Sequence, residues 1–185
     1  MIVLIGFMGA GKTTVGHLLA DRLGLPFVDS DLVIEQRTGC SIRQFFAENG
    51  EPAFRELESR VICELVDGPE AVLALGGGAA GHPDTVTQLK SAQVVYLQVS
   101  YGEAMLRVAG DEYRPMLARP GLDDLYRNRL SVYDAVATLT VATDGRRPET
   151  VSQDVIAQLA RLPEPQGDQP EPSAAVPTDS QLSGR

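Results

Sequence analysis

Residues 1–14 read Met1-Ile2-Val3-Leu4-Ile5-Gly6-Phe7-Met8-Gly9-Ala10-Gly11-Lys12-Thr13-Thr14. The apolar run 2–5 predicts a buried strand, and it passes directly into G-x-x-x-x-G-K-T over residues 6–13. A helical pattern starts at once: in residues 14–23 (TVGHLLADRL), Val15, Leu18, Leu19 and Leu23 share one face. Strand, glycine loop and helix in this order make a phosphate-binding loop. Its backbone N–H groups converge on an anion at a helix N-terminus, where the helix dipole adds to the attraction. In such a loop Lys12 reaches the β- and γ-phosphates and the Thr13 hydroxyl ligates Mg²⁺. At a glycine frequency of about 7%, the four fixed positions match by chance in roughly one chain in a hundred or fewer. The opening stretch therefore predicts nucleotide binding.

Working outward, 185 residues suffice for one domain with a substantial core. The net charge of −9 argues against a nucleic-acid or anionic-membrane surface, which clustered cations would have to bind. Lys12 and Lys90 are the only lysines among the sixteen basic residues, so a lysine inside the loop stands out. Cys40 and Cys63 lack metal-ligand spacing and read as reduced thiols. No apolar run approaches the length of a membrane span, and the N-terminus lacks a basic leader region; both predict a cytoplasmic protein. No heptad or long amphipathic surface appears, which predicts a monomer.

Further along, Pro26-Phe27-Val28 predicts a second strand ending at Asp29-Ser30-Asp31, then a helix over 32–38. Ser41 and Gln44 form a capping box for a helix ending at Asn49-Gly50, and a longer helix follows over 51–66 with Phe54, Leu57, Val61, Ile62 and Leu65 inward. Residues 71–75 predict a buried strand running into Gly76-Gly77-Gly78, and 83–90 a polar helix. A strand at 94–99 and a helix at 102–109 precede 110–121, a Gly-, Pro- and charge-rich loop. A helix over 122–137, a strand over 138–142 and a last helix from Pro148 to about Leu162 complete the pattern. Strands alternating with helices predict an α/β doubly wound parallel sheet, with ligands at the carboxyl ends of the strands. Residues 163–185 hold five of the twelve prolines and almost no large apolar residue, so they predict a disordered tail outside a domain of residues 1–162.

The strand ends carry the remaining chemistry. Asp29 and Asp31 either cap the following helix or face the crevice, one ordering waters on Mg²⁺ and the other accepting a proton. Arg55 is either the fork that grips a carboxylate or a surface arginine paired at helical spacing to Glu51 or Glu58. Three glycines at a strand end are either a turn or a close approach of backbone to ligand. Signatures of GTPase switches and of large ATPases are absent: neither lysine sits in an Asn-Lys-x-Asp, and no apolar strand ends in Asp-Glu.

Taken together, these segments resemble the shikimate kinase family from residue 1 to about 162. The segments are GFMGAGKTTVG (6–16), DSD (29–31), FRELE (54–58), GGG (76–78), RPML (114–117) and RNRLSVYDAVA (127–137). The resemblance implies a three-layer P-loop kinase with a five-stranded parallel sheet in the order 2-3-1-4-5 and a lid at about 110–121. It also implies transfer of the ATP γ-phosphate to the 3-hydroxyl of shikimate, on the route to chorismate and the aromatic amino acids. By the same resemblance Gly9, Ala10, Gly11, Lys12, Thr13 and Thr14 cradle the ATP phosphates, with Thr13 on Mg²⁺ and Asp29 reaching it through water. Asp31 is the base for the 3-hydroxyl. Arg55 and Arg129 hold the shikimate carboxylate, and Gly77 contacts the ring or its carboxylate end through its backbone. Arg114 closes from the lid over the moving phosphoryl group, Arg107 faces the ATP phosphates, and Arg146 or the adjacent Arg147 lies under adenine. At Arg129 the nearby Arg127 competes, and spacing to Tyr133 favours Arg129. Two other readings share the loop: a related small-molecule kinase such as a gluconate kinase, and a decayed nucleotide-binding protein. The second predicts loss of Lys12, Asp31 or Arg114, and all three are in place.

Overall fold

The computed structural model describes residues 1–109 and 121–162. Arg114, the rest of the expected lid up to residue 120 and the 163–185 tail lie outside the described residues. Among the described residues five strands form one sheet: β1 (Ile2–Ile5), β2 (Phe27–Asp29), β3 (Val72–Ala74), β4 (Gln93–Gln98) and β5 (Leu139–Ala142). Every pairing is parallel and the order is β2-β3-β1-β4-β5. Val3 lies opposite Leu73 on one side and Val94 on the other. The inner strands are apolar without alternation because both of their faces are covered: Val3, Leu4, Val72, Leu73, Val95 and Leu97 are all fully buried.

The helices are α1 (Lys12–Leu23), α2 (Ser30–Thr38), α3 (Ile42–Val66), α4 (Pro83–Gln88), α5 (Tyr101–Val108), α6 (Leu122–Val136) and α7 (Pro148–Leu159). From β1 the chain crosses outward to β2, then works back through β3 to β4 and β5. With right-handed crossovers, that reversal puts α1 on one face and α3, α4 and α6 on the other. Helix α7 returns to pack on α1. The reversal also opens a crevice at the carboxyl ends of the central strands, where sequence reasoning puts the ligands.

Two local differences have physical causes. Helix α1 begins at Lys12, two residues earlier than the apolar pattern suggests, because Gly11 adopts a left-handed conformation (φ 91°) and serves as the N-cap. The two helices expected over 41–50 and 51–66 form the single run α3, broken internally where Gly50 takes φ 81°, ψ 169° just ahead of Pro52. Ser41 caps the start of α3 as expected, accepting the Gln44 N–H at 3.2 Å. A small second core of Ile34, Phe54 and Val61, with Phe45 and Phe46 against it, ties α2 to both halves of α3. That cluster fixes the helix from which Arg55 projects. Among the described residues, no helix is long and apolar enough to cross a membrane.

Candidate active site

The phosphate loop links β1 to α1. Gly9 has φ +75°, and a Cβ there would lie 2.8 Å from the Ala104 carbonyl oxygen, so neither the conformation nor the space admits a side chain. Gly11 offers α1 no side-chain cap, and the first-turn N–H groups face the loop mouth. Lys12 Nζ donates to the carbonyl oxygens of Gly6 at 2.8 Å and Phe7 at 3.3 Å, which holds the ammonium over its own loop. Arg107, from α5, donates to the Gly9 carbonyl at 3.2 Å and to the Thr143 carbonyl at 2.7 Å, bracing the loop against the end of β5. Arg146 donates to Asp154 of α7 at 3.1 Å and to the Ala142 carbonyl at 3.0 Å, while Arg147 extends into solvent with its side chain 84% exposed.

Beyond β2, the two readings of the Asp-Ser-Asp motif prove compatible. Asp29 Oδ1 accepts the Asp31 N–H at 3.0 Å and so caps α2, and the second carboxylate oxygen remains. Asp31 is partly buried beside the glycine turn: a Cβ on Gly76 would lie 2.5 Å from Asp31 Oδ1 and 3.0 Å from Glu58 Oε1. Burial, with Asp29 and Glu58 close by, pushes the Asp31 carboxyl up to about 6 against the pull of Lys12. Ser30 is fully buried and its hydroxyl accepts the Gly76 N–H at 3.2 Å, pinning the turn to the motif.

Opposite this turn lies a cavity of about 340 Å³ whose walls include Arg55, Gly77, Gly78, His82, Arg129 and Tyr133. Arg55 is ion-paired at the cavity wall. It pairs with Glu58 at 2.6 Å and Glu51 at 3.3 Å, and it also lines the cavity. Its guanidinium lies 5.3 Å from the centroid of the Phe54 ring and 5.8 Å from that of Phe46. Burial opposes its charge, but Glu58 and Glu51 outweigh that and strengthen its hold on the proton. Glu58 is itself 2% exposed; burial raises its carboxyl against the opposing effects of Arg55, Arg129 and His82. Arg129 reaches the cavity from α6 beside Tyr133, whose hydroxyl donates to the Gly77 carbonyl at 2.6 Å. Burial raises the Tyr133 phenol, and Arg129 limits the rise. Arg127, by contrast, is exposed and pairs with Asp123 and Asp124 on its own helix, so of the two arginines Arg129 is the one that lines the cavity.

Sequence reasoning missed Ser30, and it named Glu58 only as a surface partner of Arg55 and Tyr133 only as a spacing mark for Arg129, not as a buried carboxylate and a phenol bound to the Gly77 carbonyl. A signal existed for Glu58, which sits four residues after Phe54 and three before Val61 on the inward face of α3. A carboxylate inside an apolar stripe calls for a buried partner, and Arg55 supplies it.

The donor set also fits a phosphate-bound magnesium ion. Among the described residues no cluster of three or more His, Cys, Asp or Glu could hold a metal alone. Mg²⁺ instead takes one or two protein oxygens together with phosphates and water. Thr13 is exposed at the start of α1, and Asp29 ends β2, across β3 from β1.

Comparison with known proteins gives consistent results. The shikimate kinase family model matches residues 8–160. A shikimate kinase of Thermobifida fusca is 44% identical over 162 residues, covering 86% of this chain and 94% of the relative. The structure of a shikimate kinase from Acinetobacter baumannii in complex with shikimate superimposes with a TM-score of 0.79 at 36% identity, over 86% of this chain and 92% of that one. A gluconokinase from Sinorhizobium meliloti gives a TM-score of 0.59 at 20% identity, over 87% of this chain and 91% of that one, a likeness of fold alone.

Proposed function

The chain belongs to the shikimate kinase family, and on that premise we propose how its residues carry the γ-phosphoryl group of ATP to the 3-hydroxyl of shikimate, giving ADP and shikimate 3-phosphate. The observation that carries the proposal is the convergence of Arg55, Arg129 and the glycine turn on one cavity, with Asp31 at the turn and within the field of Lys12. A cyclohexene carboxylate bearing three hydroxyls needs cations at one end and an acceptor of hydrogen bonds at the other, and this wall offers both.

In this reading Gly9 to Thr14 bind the ATP phosphates through backbone N–H groups, and Lys12 leaves the Gly6 and Phe7 carbonyls for the β- and γ-phosphates. Thr13 and, through water, Asp29 would hold the Mg²⁺ that accompanies ATP, whose chemistry is to neutralise charge on the β- and γ-phosphates. Arg55 and Arg129 grip the shikimate carboxylate and Gly77 contacts it through its backbone. Asp31 orients the 3-hydroxyl and takes its proton as the new P–O bond forms and the bond to ADP breaks. Because the Asp31 carboxyl is pushed up to about 6, it is ionised yet basic enough to receive a proton at neutral pH. Arg114 would stabilise charge spreading over the moving phosphoryl group, and closure of residues 110–121 would exclude water and suppress hydrolysis of ATP. Arg107 faces the phosphates, and Arg146 lies under adenine. The protein works as a cytoplasmic monomer. Positioning and charge neutralisation supply most of the acceleration, since phosphoryl transfer asks little covalent chemistry of the protein.

An ADP-release assay with shikimate, with gluconate and with no acceptor tests the proposal. Shikimate-dependent turnover well above the other two is expected; a folded, ATP-binding sample showing none would overturn it.

A further inference from the structure

The glycine turn over 76–78 is the most permissive backbone in the cavity wall, since none of its residues has a side chain to limit the dihedrals. Hydrogen bonds within the protein fix most of its peptide groups. The Gly76 N–H donates to the Ser30 hydroxyl at 3.2 Å, the Gly76 carbonyl accepts the Ala79 N–H at 3.1 Å, and the Gly78 carbonyl accepts the Gly81 N–H at 3.1 Å. The peptide between Gly77 and Gly78 is held differently. Its carbonyl accepts the Tyr133 hydroxyl at 2.6 Å, while its N–H, on Gly78, has no acceptor among the described residues.

One side chain therefore sets the plane of a peptide that has glycine on both sides. In a trans peptide the carbonyl and the N–H point in opposite directions. With the carbonyl held toward Tyr133, the Gly78 N–H faces away from the phenol. Rotation of that plane about the two glycines would exchange a donor for an acceptor on a wall that has to receive an anion. The phenol is itself fixed: Tyr133 is 1% exposed, and its ring packs on Tyr96 with centroids 5.1 Å apart. Burial raises the phenol, so it keeps the proton it donates. Tyr133 also follows Arg129 by one turn of α6, and both reach the same glycine. A Cβ on Gly77 would lie 2.9 Å from Arg129 Nη1 and 3.6 Å from the Tyr133 hydroxyl oxygen.

Resting on the acceptor assignment made above, we propose that Tyr133 is a positioning residue for the acceptor: its hydroxyl locks the Gly77–Gly78 peptide in the orientation that leaves the N–H side to the ligand. It acts through the turn, and the phosphoryl-transfer step stays with Asp31 and Lys12.

The test compares the wild type with Tyr133→Phe and Tyr96→Phe. Tyr133→Phe keeps the ring and its packing and removes only the hydroxyl. Tyr96→Phe removes the hydroxyl of the neighbouring ring, which is as deeply buried but does not line the cavity. Kinetic constants for shikimate and for ATP are measured well below the melting temperature of each protein. Tyr133→Phe should lower kcat/KM for shikimate about tenfold, chiefly through KM, the scale of one lost hydrogen bond. Its KM for ATP should stay within about twofold of wild type, and Tyr96→Phe should leave both KM values within about twofold whatever its Tm. A loss in Tyr133→Phe smaller than about threefold, an equal loss in the two variants, or a parallel rise in the KM for ATP would overturn the proposal. Failure of the acceptor assignment itself would look different: no shikimate-dependent turnover in the wild type.

Discussion

The phosphate loop and the acceptor cavity meet at Gly77, which lines the cavity and lies beside the Gly6 carbonyl, yet they are built from different material. The loop presents its ligand with backbone N–H groups from one unbroken stretch, residues 6–13, and its geometry is fixed by where glycines stand. The cavity presents side chains: Arg55 from α3, Arg129 and Tyr133 from α6, and His82 ahead of α4, residues up to 78 positions apart. Backbone donors carry no counter-charge and need none. The cavity's arginines do, and Glu51 and Glu58 hold Arg55 in place at the cost of part of its attraction for an incoming anion. One half is therefore preorganised by conformation and the other by electrostatic balance, and variants that strike one device should spare the other.

Asp31 stands at the junction, so its loss should have the largest effect. Asp31→Asn is expected to lower kcat about a thousandfold or more while the KM for ATP stays within about twofold, since a positioned general base contributes factors in this range. Wild-type kcat should also fall as pH drops through about 6, as the raised carboxyl takes up its proton. The sign for stability is opposite to that of a salt-bridged aspartate. The folded state holds the Asp31 proton more tightly than the unfolded chain, whose carboxyl keeps the ordinary value of 3.8. The group's favourable contribution is thus present below about pH 4 and is lost as pH rises to about 6. Above that, the ionised carboxylate destabilises the fold by at most about 3 kcal/mol. Urea titrations at pH 7 should find Asp31→Asn more stable than wild type; an equal or lower midpoint would contradict the burial argument.

Two glycine substitutions separate the devices next. Gly9→Ala meets both a positive φ and a backbone carbonyl 2.8 Å from the new Cβ, so neither can yield cheaply. It should destabilise the protein by roughly 2–3 kcal/mol and raise the KM for ATP about a hundredfold. Gly78 has ordinary angles (φ −103°, ψ −12°), and its new Cβ would lie 2.6 Å from Arg55 Nη1, the far end of a long side chain that can swing aside. Because that swing strains the pair with the buried Glu58, Gly78→Ala should lower stability measurably, leave ATP kinetics nearly unchanged and raise the KM for shikimate about tenfold. Equal effects of the two variants on ATP would erase the distinction between the halves.

Arg129→Ala tests the cavity alone. It removes a charged donor from the cavity wall, and the KM for shikimate should rise about tenfold. Arg127→Ala removes an exposed partner of Asp123 and Asp124 and should change neither kinetic constant measurably. The two arginines are two residues apart in sequence and differ only in which way α6 turns them.

The same contrast explains what could be read from the sequence. A site made of contiguous backbone is legible because spacing in sequence is spacing in space. The loop, the five parallel strands and the capping residues of α3 were all expected, and all are found. The cavity was legible only where residue type limited the options, as with Arg55 and the glycine turn. Ser30 and the role of Tyr133 escaped because their partners lie 46 and 56 positions away, chosen by helix rotation and sheet order, and Glu58, foreseen as a partner of Arg55, was not foreseen as buried. Arg55 looked like a choice between ion pair and ligand grip because a helix projection places Glu51 and Glu58 beside it without indicating that a cavity opens on the same guanidinium. Burial of Glu58 at 2% exposure removes the choice: a carboxylate that deep must be paired, so the ion pair is what aims the arginine.

A small effect on stability is expected at the nucleotide half's outer edge. Arg146 is 30% exposed, and its guanidinium donates through both terminal nitrogens to Asp154 Oδ2 at 3.1 Å, fastening the turn after β5 to α7. Hydrogen bonds from Gln158 and then from Arg146 keep the Asp154 carboxyl below its ordinary value. A partly exposed pair of this kind contributes about 0.5–1 kcal/mol, so Arg146→Ala should lower Tm by a few degrees. If the guanidinium also lies under adenine, the same variant raises the KM for ATP severalfold, and Asp154→Ala, which frees the arginine without removing it, does not. If both variants change only Tm, Arg146 is a strut for α7 and the adenine contact passes to Arg147, whose exposed side chain pairs only with Glu149 at 3.5 Å among the described residues. Measuring the two variants side by side thus assigns the edge of the nucleotide half to one arginine or the other.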